Sequence, residues 1–224
     1  MFDQSSLEAV VENLKYPKPF PDAHHHPFYA MFELSGNDGA HLETRLLALL
    51  ERLWHSSQIR EATYAPDSQS AKFAQLRNYR EHITLGLRAD GAGYKYDVSL
   101  PLPVFYEVVE VMRQRLLEKE KKGSPEKPSF SVTRVCGYGH LGDGNLHFNV
   151  TSPTYQPALL AAIEPALYEL VAAHGGSISA EHGIGAKKRP YLRYSKSAEA
   201  VRLMGRLKTE VFDVRGTLNP GKVL

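Results

Sequence analysis

One cysteine among 224 residues is too few for an intramolecular disulfide, which fits a reducing compartment. That residue, Cys136, reads as a small buried apolar side chain rather than a reactive thiol. No apolar run approaches the ~20 residues that a membrane-spanning helix needs, so no membrane span is expected. Neither charge sign dominates, with 27 Lys and Arg against 25 Asp and Glu. No basic stripe interleaved with aromatics exists either, so nucleic acid is not an expected partner. A Gly-x-Gly-x-x-Gly following a strand is missing, as is a Walker-type loop, and with them any visible phosphate cradle. The opening "MFDQSSLEAVVENL" has neither a signal-peptide apolar core nor an arginine-rich transit pattern. These absences describe a soluble chain of ordinary composition, long enough to bury a proper core.

What is present concentrates in "GYGHLGDGNLHFNV", residues 137–150, where two histidines lie seven apart around a Gly-Asp-Gly-Asn centre. In one extended strand those imidazoles would stand ~23 Å apart on opposite faces. A helix would bring them together, but Gly142 and Gly144 argue against one. A hairpin remains. Asp143-Gly144 suits the two central positions of a type I′ turn, both of which need φ > 0. That turn predicts His140 directly opposite His147, Leu141 opposite Leu146 and Gly142 opposite Asn145. One face then carries His140, His147, Tyr138 and Asn149. The other carries Val135, Leu141, Leu146, Phe148 and Val150, with Gly137 and Gly139 leaving room for Phe148. Imidazoles paired this way can share a zinc ion. The plainer reading is two histidines that merely flank a tight turn.

Elsewhere helices and strands mix. A short helix over "LEAVVENL" and a Pro-rich connector, "YPKPFPDAHHHP", open the chain, and the triple histidine reads as plain loop. "FYAMFELS" and "IREATYA" alternate as strands do. Between them, Asn37-Asp38 caps an amphipathic helix with Leu42, Leu46, Leu49, Leu50 and Leu53 on its apolar face. The pattern predicts one helix from about Ser68 to Leu87, a strand over "GYKYDVSLP", and a helix opened by Pro103 that carries Val104, Val108, Val111 and Met112. "EKEKKGSPEKP" reads as a charged, solvated loop. Helices over 157–173 and 198–212 follow the hairpin. This is an α+β pattern, an antiparallel sheet flanked by helices, with residues 1–26 as N-terminal helix and linker and 27–224 as one domain.

Two further clusters join the hairpin. In "SAEHGIG", Glu181 would complete a His-His-Glu metal set with His140 and His147, and its neighbour His182, pointing the other way along extended backbone, would act as general base. In "YREHITLGLRADGAGYKYDVSL", Arg80 and Thr84 are spaced i, i+4 and Lys95 sits on the following strand, a set suited to gripping a carboxylate. Alone, a Glu-His dipeptide is an ordinary loop and the helix charges are ordinary surface charges.

Together "GYGHLGDGNLHFNV", "SAEHGIGAKKR", "REHIT…YKYDVSLP" and the closing "LNPGKVL" resemble the C-terminal half of FAD-dependent D-2-hydroxyacid dehydrogenases, most nearly those acting on D-2-hydroxyglutarate. The resemblance runs from about "HPFYAMFELSG" to the C-terminus. It implies an α+β substrate domain that covers a flavin held by an FAD-binding domain or subunit outside this chain, so that the chain is expected to be inactive by itself. It further implies Zn2+ on His140, His147 and Glu181, with His182 as base. Arg80, Thr84 and Lys95 would sit on the distal carboxylate of a D-2-hydroxyacid, Asn149 on the substrate near the metal, and Asn219 near the flavin. Two imidazoles and one carboxylate also suit iron or manganese. An electron-transferring flavoprotein or similar carrier would accept the electrons, in the mitochondrial matrix of a eukaryote or otherwise the cytoplasm. Arg77 and Tyr79 stand where that family has Trp and Leu, and Val214 where it has Pro; these touch packing rather than chemistry. Within the enzyme class the rival substrate is D-lactate or another D-2-hydroxyacid, and the rival class is a metal- and hydroxyacid-binding module with no chemistry of its own.

Overall fold

The computed structural model describes residues 1–20, 26–121 and 129–224, which form two compact units, Met1–Ala89 and Asp90–Leu224. Two of the three consecutive histidines and most of the charged "EKEKKGSPEKP" loop lie outside the described residues.

In the first unit a short strand, β1 (Phe2–Asp3), pairs antiparallel with β2 (Phe28–Tyr29). Asp3 then caps α1 (Gln4–Glu8), its Oδ1 accepting the Ser6 N–H at 2.8 Å. Such a cap satisfies one of the four amide donors that a helix start leaves unpaired. The expected strand over "FYAMFELS" shrinks to those two residues of β2, and "IREATYA" forms no strand. Alternation alone does not make a strand where no partner supplies a ladder. α2 (Gly39–His55) is capped by Asp38 as read, and its leucine stripe is half-buried rather than buried. His26 pairs with Glu61 and lies edge-on to Phe20 and Tyr29, a packing role.

The helix expected from 68 to 87 is broken in two, α3 (Ala71–Glu81) and α4 (Ile83–Ala89). His82 leaves helical geometry at ψ 6°, where its Nδ1 and the Tyr16 hydroxyl are 2.6 Å apart. α4 can then pack on the wider helical turn Ala9–Asn13 through Gly86, where a Cβ would come within 2.6 Å of the Ala9 carbonyl oxygen. Tyr79 is buried and donates to the Pro17 carbonyl, and Arg77 donates to Glu81 one turn on as an exposed pair.

The second unit is built on an antiparallel set in the order β4 (Arg134–His140), β5 (Asn145–Ser152), β3 (Ala92–Ser99). One face carries Tyr94, Tyr96, Val98, Val135, Leu146, Phe148 and Val150, all buried. The helices of this core are α5 (Glu107–Lys121), α6 (Pro157–Ile163) and α7 (Ala166–Ala173). Burying each large apolar side chain stabilises by about 1.5–3 kcal/mol. On α5 the inward stripe is Val108, Val109, Met112 and Leu116, while Val111 faces out, because the α-helix starts at Glu107 after a 3-10 turn at Leu102–Val104. The helix expected over 157–173 is two, separated at Glu164-Pro165, since proline lacks the amide that would continue the ladder. α8 (Ala198–Arg206) runs on as a wider turn, Leu207–Phe212.

The hairpin forms with a different register. β4 and β5 are joined by Leu141–Gly144, a four-residue loop, so His140 lies opposite Asn145 and Tyr138 opposite His147. Asp143 Oδ1 accepts the Asn145 N–H at 3.0 Å, and the Gly144 carbonyl accepts from Leu100 N at 2.9 Å, which docks the loop on the end of β3. A slip of two residues keeps every side chain on its face, so the division into core and polar faces stands. Leu141 is the exception, exposed in the loop. Gly137 makes room for Val109, not Phe148, and a Cβ on Gly139 would collide with the Asn145 carbonyl. Gly139→Ala is therefore expected to destabilise by about 1–3 kcal/mol or more in urea unfolding. Gly142→Ala, with open space at its Cβ, should leave the midpoint nearly unchanged.

Candidate metal centre

The polar face of β3, β4 and β5 gathers the chemistry. Strand register places Asp97 on β3 and Tyr138 on β4 on either side of His147 on β5. The Tyr138 and His147 rings are 5.1 Å apart, and the His140 ring stands edge-on to His147 at 5.9 Å. Asn149 is buried two positions along, between Cys136 and Lys95.

The segment carrying Glu181 and His182 reaches this face because of one carboxylate. Asp97 Oδ2 accepts the backbone N–H groups of Ala180, Glu181 and His182 at 3.0, 2.9 and 2.9 Å. Lys188 ties the same stretch from its other end, donating to the carbonyls of Ile178 at 2.8 Å and Asp97 at 3.3 Å. Gly183 and Gly185 follow with φ of +80° and +54°, a conformation that side chains resist. The backbone therefore wraps around an oxygen instead of running extended, and Glu181 and His182 converge where the sequence reading had them pointing apart. Glu181 Oε1 lies 3.3 Å from His147 Nε2 and 3.8 Å from His182 Nε2. The His147 and His182 rings stack at 5.8 Å.

Burial raises the Asp97 pKa, but the backbone donors and the nearby His182 and Lys188 outweigh it and hold the carboxyl below its ordinary range. Burial pulls the Lys188 ammonium the other way, below its usual value, with Asp97 partly opposing.

Among the described residues, Asp97, His147, Glu181 and His182 each offer one donor atom within a span of 4.8 Å. His147 and Glu181 were expected here. Asp97 was missed, although an acidic residue in mid-strand on the face of Lys95 is a signal the sequence carried. His140 is outside this set because the longer loop puts it opposite Asn145. A mixed imidazole–carboxylate set suits zinc, iron or manganese. Asp97 Oδ1 is fully buried with no hydrogen-bond partner among the described residues, so one carboxylate oxygen in the site is left to be satisfied. The residues fit a divalent cation.

The remaining expected residues fall as follows. Arg80 is half-buried in the last turn of α3 and Thr84 is exposed on α4, both in the first unit, with the break at His82 between them. Lys95 is exposed on β3 of the second unit. Asn219, at φ +47°, opens a turn whose carbonyl accepts from Lys222 N at 3.2 Å. The tail beyond it returns to the Glu-His segment, Val223 N donating to the Gly185 carbonyl at 2.8 Å. Asp213 folds this tail, accepting from Lys208 Nζ at 2.8 Å, Thr217 N at 2.7 Å and Leu218 N at 3.0 Å.

The family described as FAD linked oxidases, C-terminal domain, matches residues 1–223. The chain belongs to this family. It is 42% identical over 222 residues to the mitochondrial D-2-hydroxyglutarate dehydrogenase of Danio rerio, covering 99% of this chain and 38% of that protein. It is 41% identical to a putative mitochondrial D-lactate dehydrogenase of Schizosaccharomyces pombe, covering 99% of this chain and 41% of that one. A D-2-hydroxyglutarate–pyruvate transhydrogenase of Saccharomyces cerevisiae is 37% identical over 99% of this chain and 43% of its own length. The chain thus spans about two-fifths of the relatives it matches. No described helix of this family member is long and apolar enough to cross a membrane.

Two outcomes are expected. Glu181→Ala should weaken divalent-ion binding in a chelator-competition titration by more than the roughly 10–100-fold that losing a supporting residue costs, and His140→Ala by less. The Lys208 bond, with the Thr217 and Leu218 amides, holds the Asp213 carboxyl below its usual value against the opposing effect of burial. A carboxyl whose pKa is depressed by folding stabilises above its unfolded value of ~3.9 and loses that contribution as pH falls through the lower folded value. In NMR titration the Thr217 and Leu218 amide signals should stay in place through pH 4 and move only below it.

Proposed function

We propose that this chain is the substrate- and metal-binding part of an FAD-dependent dehydrogenase that oxidises D-2-hydroxyglutarate to 2-oxoglutarate. The convergence of Asp97, His147, Glu181 and His182 on the polar face of the hairpin sheet carries the reading. His147 and Glu181, with His140 beside them, hold a divalent cation, which the family resemblance makes zinc. Bound there, the cation would supply Lewis acidity that makes the substrate hydroxyl more acidic, and FAD, from a domain or subunit outside this chain, would supply the hydride acceptor.

The chain's own residues bind, orient and move one proton. His182, 62% exposed and stacked on His147, takes the hydroxyl proton on its imidazole. Arg80, Thr84 and Lys95 bind the distal carboxylate, Arg80 through the planar two-pronged geometry that suits an oxyanion pair. Asn149 donates to substrate near the metal, and Asn219 lies toward the flavin. An electron-transferring flavoprotein or similar carrier reoxidises the flavin, and a eukaryotic host places the enzyme in mitochondria, as the names of its relatives do for them.

Co-expression with an FAD-binding domain of the family should give dye reduction with D-2-hydroxyglutarate. A complex that binds FAD and zinc yet reduces no dye with any D-2-hydroxyacid would leave the non-catalytic module as the better reading. In the active complex, Arg80→Ala should lower kcat/KM for D-2-hydroxyglutarate by about 10–100-fold or more, a loss of the ~1.5–3 kcal/mol of a charge-assisted bond. D-lactate, which has no distal carboxylate, should lose little. Equal losses would remove Arg80 from the clamp.

A further inference from the structure

Asp97 is the one member of the site wholly removed from solvent, and its two oxygens face different partners. Oδ2 accepts all three consecutive amides of Ala180–His182. Oδ1 makes no hydrogen bond among the described residues and lies 3.9 Å from His147 Nδ1. The opposite ring nitrogen, Nε2, is the one that lies 3.3 Å from Glu181. An imidazole ligand is ordinarily oriented by a carboxylate or carbonyl at its non-ligating nitrogen, which fixes the tautomer and raises the basicity of the ligating one.

We propose that Asp97 is the positioning residue of the metal centre, holding the His147 proton on Nδ1 so that Nε2 faces the cation, while its second oxygen fixes the backbone that carries Glu181 and His182. This rests on the metal reading of the site. One carboxylate thereby couples a ligand on β5 to a ligand on a distant loop. At 3.9 Å the Asp97–His147 contact is longer than a hydrogen bond. A cation on Nε2 would make Nδ1–H a stronger donor toward this carboxylate.

The test is Asp97→Asn in the full 224-residue chain, probed with Zn2+ alone. An asparagine cannot accept from both directions. With its oxygen toward the three amides, its NH2 faces His147 and demands the tautomer protonated on Nε2. Zinc affinity is expected to fall 10–100-fold. The 15N signature of His147 in the zinc-free protein should move from Nδ1–H to Nε2–H, and Asp97→Glu should return it toward Nδ1–H. Equal zinc affinity in wild type and Asp97→Asn would overturn the positioning role while leaving the metal reading intact. Wild-type protein that binds no zinc would overturn the metal reading, and the proposal with it. Should Asp97→Asn not fold, the wild-type spectrum decides: a zinc-free His147 carrying its proton on Nε2 overturns the proposal.

Discussion

The second unit is organised around a buried carboxylate that accepts three successive backbone amides. Placing Asp97 in the interior is costly unless its charge is answered. The amides of Ala180, Glu181 and His182 answer one oxygen. The requirement runs in both directions. The carboxylate needs the loop to satisfy it, and the loop, with glycines at positive φ on its far side, needs a fixed anion to define its shape. Glu181 and His182 come together because their backbone is wound around that oxygen.

The sheet makes this arrangement possible by keeping its two faces unlike. Tyr96, Phe148 and Val150 close the inner face, and Tyr96 also donates to Glu164 at 2.8 Å, tying the sheet to the junction between α6 and α7. That hydroxyl is strongly raised above its ordinary pKa, by burial first and by Glu164 second, and serves as a donor. The outer face is then free to carry polar groups in register. Asp97, His147 and Tyr138 stand in one cross-strand row, and Lys95, Asn149 and Cys136 in the next. His147, on a strand, is held by the ladder, whereas Glu181 and His182, on a loop, are held only by what Asp97 and Lys188 impose.

The family membership and the site's chemistry agree at the level each supports. The FAD linked oxidase C-terminal domain spans the chain, and the relatives are more than twice as long. Two imidazoles and two carboxylates, one carboxylate buried and one exposed, form a group of the kind that could hold a cation, the role proposed for it above.

The sequence by itself determined the α+β class, the hairpin and the sorting of residues 135–150 between core and polar faces. These follow from period-two alternation and from short-range turn chemistry, which a chain carries locally. It also gave the Asp38 cap and the leucine stripe of α2. It misread "FYAMFELS" and "IREATYA", where alternation exists without a ladder, and it ran α3 into α4 because the break at His82 comes from packing on Tyr16 and Ala9, far off in the chain. Only the tertiary structure decided the hairpin register, the exclusion of His140 from the four-residue set and the place of Asp97. The loop length was settled by the Gly144 contact to Leu100, and Asp97 gained its meaning from a pairing of β3 with β5 across some fifty residues of intervening chain. A local pattern fixes which face a side chain occupies; which partner it meets there depends on contacts between segments that the sequence keeps apart.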